Sequence, residues 1–393
     1  MLLRSSAGSE EARILNRPGP LPGLMAPEEA SPPAVARALV GSALAVKRGE
    51  HVVIVTWNHT LPWAASCVAE ARRVGARPVL ILEDEGAFWK SLDLAPSART
   101  WSGLSAPVRA ALRHADALVY FPGPADRPRL HALPNHLQSP FLGAEDEWLR
   151  QARANRLRGV RCLLGYASDA QAEHWGVPGA MWRSQLIRGI TEVDYGTMQK
   201  SAVRATRLLV RGRELRVTAP NGTDVRVRLR GRTPWVDDGA IDAEDVRRGR
   251  NLSAAPGGSV VVAVDERSAE GTAVANRPSF LSLGRVDGGQ WEIEGGRLRN
   301  YWYTEGGESF EGEFAAAPRG RETLALFALG LNPALAPSVP QAEDQEAGTV
   351  TLAIGGNTLY GGRNRCRFLS WITLGEATVA VDGVPLADRG AIL

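Results

Sequence analysis

The sequence predicts two domains, an α/β N-terminal domain with a mostly parallel sheet and a β-rich α+β C-terminal domain. Three observations predict this. Short apolar segments alternate with helically spaced segments as far as Ala167. Beyond Arg213 the alternation gives way to short strands separated by Gly, Asn and Asp. Between these regions, Met181–Gly212 carries two helical stretches that join the halves. A length of 393 residues leaves room for two or more domains. The expected boundaries are a flexible arm over residues 1–33, the α/β domain over 34–190, a connecting helix over 191–212 and the β-rich domain over 213–393.

In order, Ala34–Val46 is helically spaced and His51–Trp57 (HVVIVTW) is a short buried strand. Pro62–Val74 is a helix that stops at Gly75, the residue best suited to a left-handed cap. Pro78–Glu83 is the next strand, Ala106–His114 a helix and Ala117–Phe121 a third strand. Glu145–Arg156 is a helix and Val160–Tyr166 a fourth strand. Apolar strands of this length, separated by helices, fit a sheet covered on both faces. The proline-rich Pro122–Pro140 reads as an irregular loop. In the second half Glu214–Thr218, Val225–Leu229, Ser259–Val264, Gln290–Ile293 and Leu298–Tyr303 read as strands. Glu322–Leu329 reads as a helix, and strands resume at Thr349–Ile354, Phe368–Leu374 and Ala377–Val381.

Composition narrows the function classes. A net charge of +3 is too small to argue for nucleic acid. Cys67, Cys162 and Cys366 are far apart and make no Cys-x-x-Cys, so neither a zinc knuckle nor a disulfide framework is expected. Free thiols fit a cytoplasmic setting. The first 33 residues lack an apolar core and contain six prolines, which predicts an arm rather than a signal peptide. No apolar run has the length of a membrane span. The strand HVVIVTW is followed by Asn58, His59, Thr60 and Leu61, not by Gly-x-Gly-x-x-Gly, which excludes a dinucleotide cradle there.

Several segments in a shared order resemble the M29 family of metal-dependent aminopeptidases. They are Lys47–Val53 (KRGEHVV), Glu70–Val79 (EARRVGARPV), Val193–Met198 (VDYGTM) and Thr218–Asp224 (TAPNGTD). Gly231–Arg232, Asp238–Gly239, Asn251–Leu252, Gly330–Pro333 (GLNP), Gly348–Gly355 (GTVTLAIG), Gly361–Gly362 and Val381–Gly383 (VDG) complete the order. The resemblance runs from about Ala34 to the C-terminus. It implies the two-domain fold above, a homodimer, and a pair of divalent ions in the C-terminal domain that polarise a peptide carbonyl and activate water.

None of the carboxylate or imidazole ligands implied by the resemblance remains at its position. The glutamate positions fall at Ser259, with an insertion at Ser253–Ala255, and at Leu326. A histidine position falls at Thr351, and a final His-x-Asp falls at Ser370 and Ile372. Tyr360 approximates the tyrosine ligand. The last histidine of the chain is His174, so imidazole is absent from the half where the metals would sit. No metal and no cofactor is therefore expected, and no catalytic residue is assigned. Asp265, Glu266 and Glu376 lie at strand ends, where acids are ordinarily solvated turn residues, although an oxygen-only site for a hard cation stays open. The related ring-cleaving dioxygenase branch is weakened by the same lack of histidine; His59, after the first strand, is a packing residue or faces the cleft.

Candidate peptide-binding residues are Trp235, Tyr301, Tyr303, Tyr360 and Trp371, with Arg363, Asn364 and Arg365 as a carboxylate or backbone clamp. Core packing and a solvated turn are their plain alternatives. Two readings follow. One is a catalytically inactive, aminopeptidase-like protein that binds a peptide and presents it to a tailoring enzyme of a bacterial peptide natural-product pathway. The other is an enzyme with altered chemistry, a non-His metal or metal-independent hydrolase using Ser259, Ser370 or Cys366. Heteromeric pairing with an active relative is a third.

Overall fold

A computed structural model describes residues 32–94 and 103–393. The arm expected over 1–33 lies outside the described residues, apart from Pro32 and Pro33, which open a helix over Pro32–Arg37. The first strands are β1 (His51–Trp57), β2 (Arg77–Glu83), β3 (Ala117–Tyr120) and β4 (Arg158–Cys162). They pair in parallel in the order β2-β1-β3-β4. Along β1, Val52 and Ile54 enter one core cluster while Val53 and Val55 enter another on the opposite face. Burial on both faces is why the strand is apolar throughout instead of alternating. The helix Leu61–Arg73 follows, and Gly75 takes the left-handed conformation (φ 82°) that ends it.

Two sequence expectations are corrected. Pro122–Pro140 is not a loop: it holds a helix over Arg127–His131 and the start of a long helix over Asn135–Ala154. Pro128 lies in the first turn, where a missing N–H costs nothing, and Pro134 is the N-cap of the long helix. Glu322–Leu329 is not a helix but mostly a strand, Leu324–Gly330, buried along its whole length. A short apolar run without polar punctuation has no period that separates strand from helix. The helix of this region is Gly307–Ala316.

The second half continues with β5 (Glu214–Thr218), β6 (Asp224–Arg228), β7 (Trp235–Asp237), β8 (Leu252–Ala255), β9 (Ser259–Ala263) and β10 (Glu270–Val274). Then come β11 (Ser279–Phe280), β12 (Arg285–Val286), β13 (Gln290–Glu294), β14 (Arg297–Trp302), β15 (Leu324–Gly330) and β16 (Val350–Gly355). The last are β17 (Leu369–Leu374), β18 (Thr378–Val381), β19 (Val384–Asp388) and β20 (Ala391–Ile392). An eight-stranded sheet runs β14-β13-β10-β6-β5-β18-β19-β20, and a five-stranded one runs β17-β16-β15-β9-β7. One apolar core, from Val217 and Trp291 to Phe327 and Ile372, joins the two.

The chain returns to the first domain after leaving it. β8 adds to β4 as a fifth parallel strand, within a stretch that the sequence assigns to the β-rich domain and where it places an insertion. Leu335, Val339 and Ala342 likewise join the N-terminal core. Hydrogen bonds stitch the seam: Trp175 Nε1 donates to Leu281 O at 2.9 Å and Trp182 Nε1 to Pro340 O at 2.9 Å. Among the described residues no helix is long and apolar enough to cross a membrane.

Candidate functional site

The five-stranded sheet has two unlike faces. Val260, Val262, Phe327, Leu329, Leu352, Ile354, Ile372 and Leu374 point into the shared core. The alternate residues Val261, Ala263, Leu326, Ala328 and Ala353 form a separate, shallower cluster with Trp235, Tyr360 and Trp371 packed against it. Side-chain alternation along a strand fixes this division.

Cross-strand pairing places the expected ligand positions. Thr351 pairs with Ala328, which pairs with Val261, and Leu326 pairs with Ala353 and Ala263. Ser259 pairs with Gly330 and Asp237. Ser259, Leu326 and Thr351 therefore share the shallow face of three adjacent strands. Ser370 and Ile372 do not join them. They pair with Ile354 and Leu352 on the core face, and the residues opposite Ala353 and Thr351 are Trp371 and Thr373. The grouping of all five is thus corrected by one residue at β17, since a shift of one turns every side chain to the other face.

The donors on this face do not suit a pair of divalent ions. A serine, a leucine, threonines and an indole offer no carboxylate or imidazole. Among the described residues, no group of three or more His, Cys, Asp or Glu side chains is placed to hold a metal ion. Asp237, at the β7 edge of this face, is a carboxylate tied to structure. It accepts Ser253 Oγ at 2.5 Å, Ala254 N at 3.0 Å and Gly239 N at 3.3 Å. It thereby clasps the edge of β8 to β7. Burial pushes its carboxyl upward against those hydrogen bonds.

A cavity of about 360 Å³ opens between the two sheets at this clasp. The helix Asn135–Ala154 supplies Leu149, Arg150 and Arg153, β4 supplies Arg161, and the β-rich half supplies Trp235 and Tyr360. Trp235 and Tyr360 meet edge to face at 6.3 Å. The Arg153 guanidinium lies 5.0 Å from the centre of the Trp235 ring. Trp235 and Tyr360 were expected at a binding site from sequence; Leu149, Arg150, Arg153 and Arg161 were not. The available signal was Arg161 itself, a charged residue inside the short apolar run of β4.

Other expected site residues lie elsewhere. Tyr301 and Tyr303 do not line the cavity. They pack on Phe310 at 4.9 and 5.0 Å, and Tyr303 Oη accepts Trp291 Nε1 at 3.0 Å. Asn364 holds a turn, donating to Gly320 O and Gly355 O at 2.7 Å each. Arg363 lines two outer surface pockets with Arg230, on the far side of the turn that carries Tyr360. Arg365 is exposed. Glu266 anchors this turn, accepting Arg363 N at 2.7 Å, Asn357 Nδ2 at 3.0 Å and Arg232 at 2.8 Å. Burial opposes its ionisation, but these donors outweigh burial and bring its pKa down to about 2.

Neither Ser370 nor Cys366 has a base at hydrogen-bond distance among the described residues. Ser370 Oγ is buried with no hydrogen-bond partner among the described residues. Cys366 Sγ contacts Pro318 O at 3.6 Å. His59 is a packing residue: its Nε2 lies 2.9 Å from Gly165 O, and burial lowers its pKa.

No protein-family profile matches the sequence, and no curated protein does. Solved structures do match. Wild-type AmpT from Thermus thermophilus, an M29 aminopeptidase, is 19% identical with a TM-score of 0.68, over 92% of this chain and 98% of that one. A 2,5-dihydroxypyridine dioxygenase from Pseudomonas putida KT2440 is 16% identical with a TM-score of 0.62, over 92% and 96%. At such identities the likeness speaks for the fold, which hosts a peptidase and a dioxygenase alike. The parallel sheet and the antiparallel β-rich half of this chain together make an M29 aminopeptidase-like fold.

Proposed function

We propose that this chain is a catalytically inactive, aminopeptidase-like protein that holds a peptide in its interdomain cavity. The observation that carries the reading is the shallow face of the five-stranded sheet. Ser259, Leu326 and Thr351 stand there at positions that the M29 resemblance gives to carboxylate and imidazole ligands, with Trp235, Tyr360 and Trp371 beside them. Such a face has no Lewis acid to offer a scissile carbonyl. It retains walls of peptide size with aromatic anchors, Trp235 and Tyr360, beside polar groups that orient a ligand. Holding without cleaving is the function left to that geometry.

The test is paired. Elemental analysis of protein purified with zinc, cobalt, manganese or iron supplied is expected to find metal well below one ion per chain. Calorimetric titration of short peptides into the same protein is expected to show binding, with the peptides recovered intact. Stoichiometric metal together with peptide hydrolysis would overturn the proposal.

A further inference from the structure

Arg161 is the most conspicuous charge of the interdomain cavity. It stands in β4 between the buried Val160 and Cys162, the setting of an apolar residue. Three other arginines withdrawn from solvent have partners. Arg127 pairs with Glu145 at 2.9 Å, Arg158 with Glu50 at 2.5 Å and Arg232 with Glu266 at 2.8 Å. Arg161 makes no hydrogen bond or ion pair among the described residues; its close contact is the Tyr166 ring, 6.0 Å from the guanidinium carbon. Half-buried and lining the cavity, this guanidinium is free to take an anion as its partner.

The acids nearby do not complete it. Asp237 is committed to three donors. Glu145 is committed to Arg127. Asp344 feels the field of Arg161 but makes no ion pair with it, and burial pushes its carboxyl upward. Asp146 stands exposed on the cavity wall. On the helix Asn135–Ala154, Arg153 also has no ion pair among the described residues, and its buried Nε lacks a hydrogen-bond partner. Arg150 is neutralised by Glu147 at 2.6 Å. The wall therefore presents two uncommitted guanidinium groups beside the indole of Trp235 and the ring of Tyr360.

We infer that the cavity recognises a carboxylate flanked by an apolar side chain, with Arg161 as its fork-shaped partner, Arg153 as the second cation, and Trp235 and Tyr360 against the apolar group. This rests on the peptide-holding reading and sharpens it. Planar guanidinium matches carboxylate in two parallel hydrogen bonds, which supplies both energy and orientation. Two sources carry that chemistry in a peptide, its C-terminus and an acidic side chain next to an apolar residue.

Three probes separate them by calorimetry: acetyl-Ala-Ala-Phe as the free acid, the same peptide as its C-terminal amide, and acetyl-Ala-Glu-Phe amide. The free acid is expected to bind about tenfold or more tightly than its amide, the scale of a charge-assisted hydrogen bond. A gain in the glutamyl amide without one in the free acid assigns the site to a side-chain carboxylate instead, and an equal gain in both shows that it takes either; each result supports the inference. Arg161→Met is expected to erase the preference, and Arg161→Lys to restore part of it, with thermal unfolding of both variants checking the fold. Equal affinity for all three probes, or a preference that survives Arg161→Met, overturns the carboxylate site while leaving peptide holding intact. If none of the three binds, peptide holding falls and the carboxylate site with it.

Discussion

Asn251, Asn332 and Asn357 are buried, and each directs its amide at main chain from a distant segment. Asn332 Nδ2 donates to Gly189 O at 3.0 Å and Gly257 O at 2.8 Å, while its Oδ1 accepts Ala334 N at 3.0 Å. Gly258 leaves it room: a Cβ there would stand 2.5 Å from that of Asn332. Asn332→Ala orphans buried carbonyls on both sides of the seam and is expected to cost about 3 kcal/mol, read as a lower urea midpoint at unchanged slope. Glu343 gives a pH signature. It is buried, with Oε1 accepting Phe280 N at 3.2 Å, and burial raises its pKa from 4.5 to about 8. Folded chains hold this proton where unfolded chains have lost it, so stability falls as pH rises from 4.5 to about 8. Glu343→Gln is expected to flatten that slope. Urea midpoints measured on either side of the window check it, and an equal fall in both proteins would exclude Glu343 as the source.

At the scale of elements, the sequence motifs that carried the family resemblance turn out to be devices of construction. Asp194 of VDYGTM caps the helix Tyr195–Arg211, accepting Gly196 N and Thr197 N. Asp382-Gly383 of VDG is a two-residue hairpin turn between β18 and β19 with both φ positive, 49° and 80°. Such motifs are legible because backbone geometry restricts the residues allowed, and so most strands and the domain character could be read. β15 could not, because a strand buried on both faces loses its period, and with it went the helix Gly307–Ala316. The cavity was half legible. Aromatic residues draw attention wherever they stand, but Tyr301 and Tyr303 serve the Phe310 cluster while Trp235 and Tyr360 serve the cavity. The two clusters predict opposite outcomes. Tyr303→Phe leaves the Trp291 indole N–H unpaired and is expected to lower stability by about 1–3 kcal/mol with peptide affinity unchanged. Trp235→Ala is expected to weaken peptide binding by about tenfold or more, as loss of an aromatic anchor does. Calorimetric titration beside chemical denaturation reads both, and reversed effects would return the tyrosines to the site.

Across the whole molecule, two halves joined by one linker would ordinarily move and melt apart. Here the chain crosses the seam repeatedly. β8 completes the first sheet after the second domain has begun, and Leu335, Val339 and Ala342 return to the first core. Trp175 packs at a tilt against Trp182 and Phe280 at 5.4 Å each, binding helices of one half to a strand of the other. Asp237 clasps β7 to β8 between the two sheets. Neither half keeps its full core when the other unfolds, so the melting of one removes apolar burial from both. Scanning calorimetry is therefore expected to show one transition, with calorimetric and van't Hoff enthalpies in agreement. Two separated transitions would mean that the shared strand and the returning segment contribute little. The same scan tests for a metal site. A bound ion stabilises the folded chain by mass action in proportion to its affinity. With no carboxylate or imidazole ligand set on the shallow face, neither added zinc or manganese nor a chelator is expected to move the melting temperature. A rise on metal addition that a chelator reverses would place a cation site in this fold and return the hydrolase reading to first place.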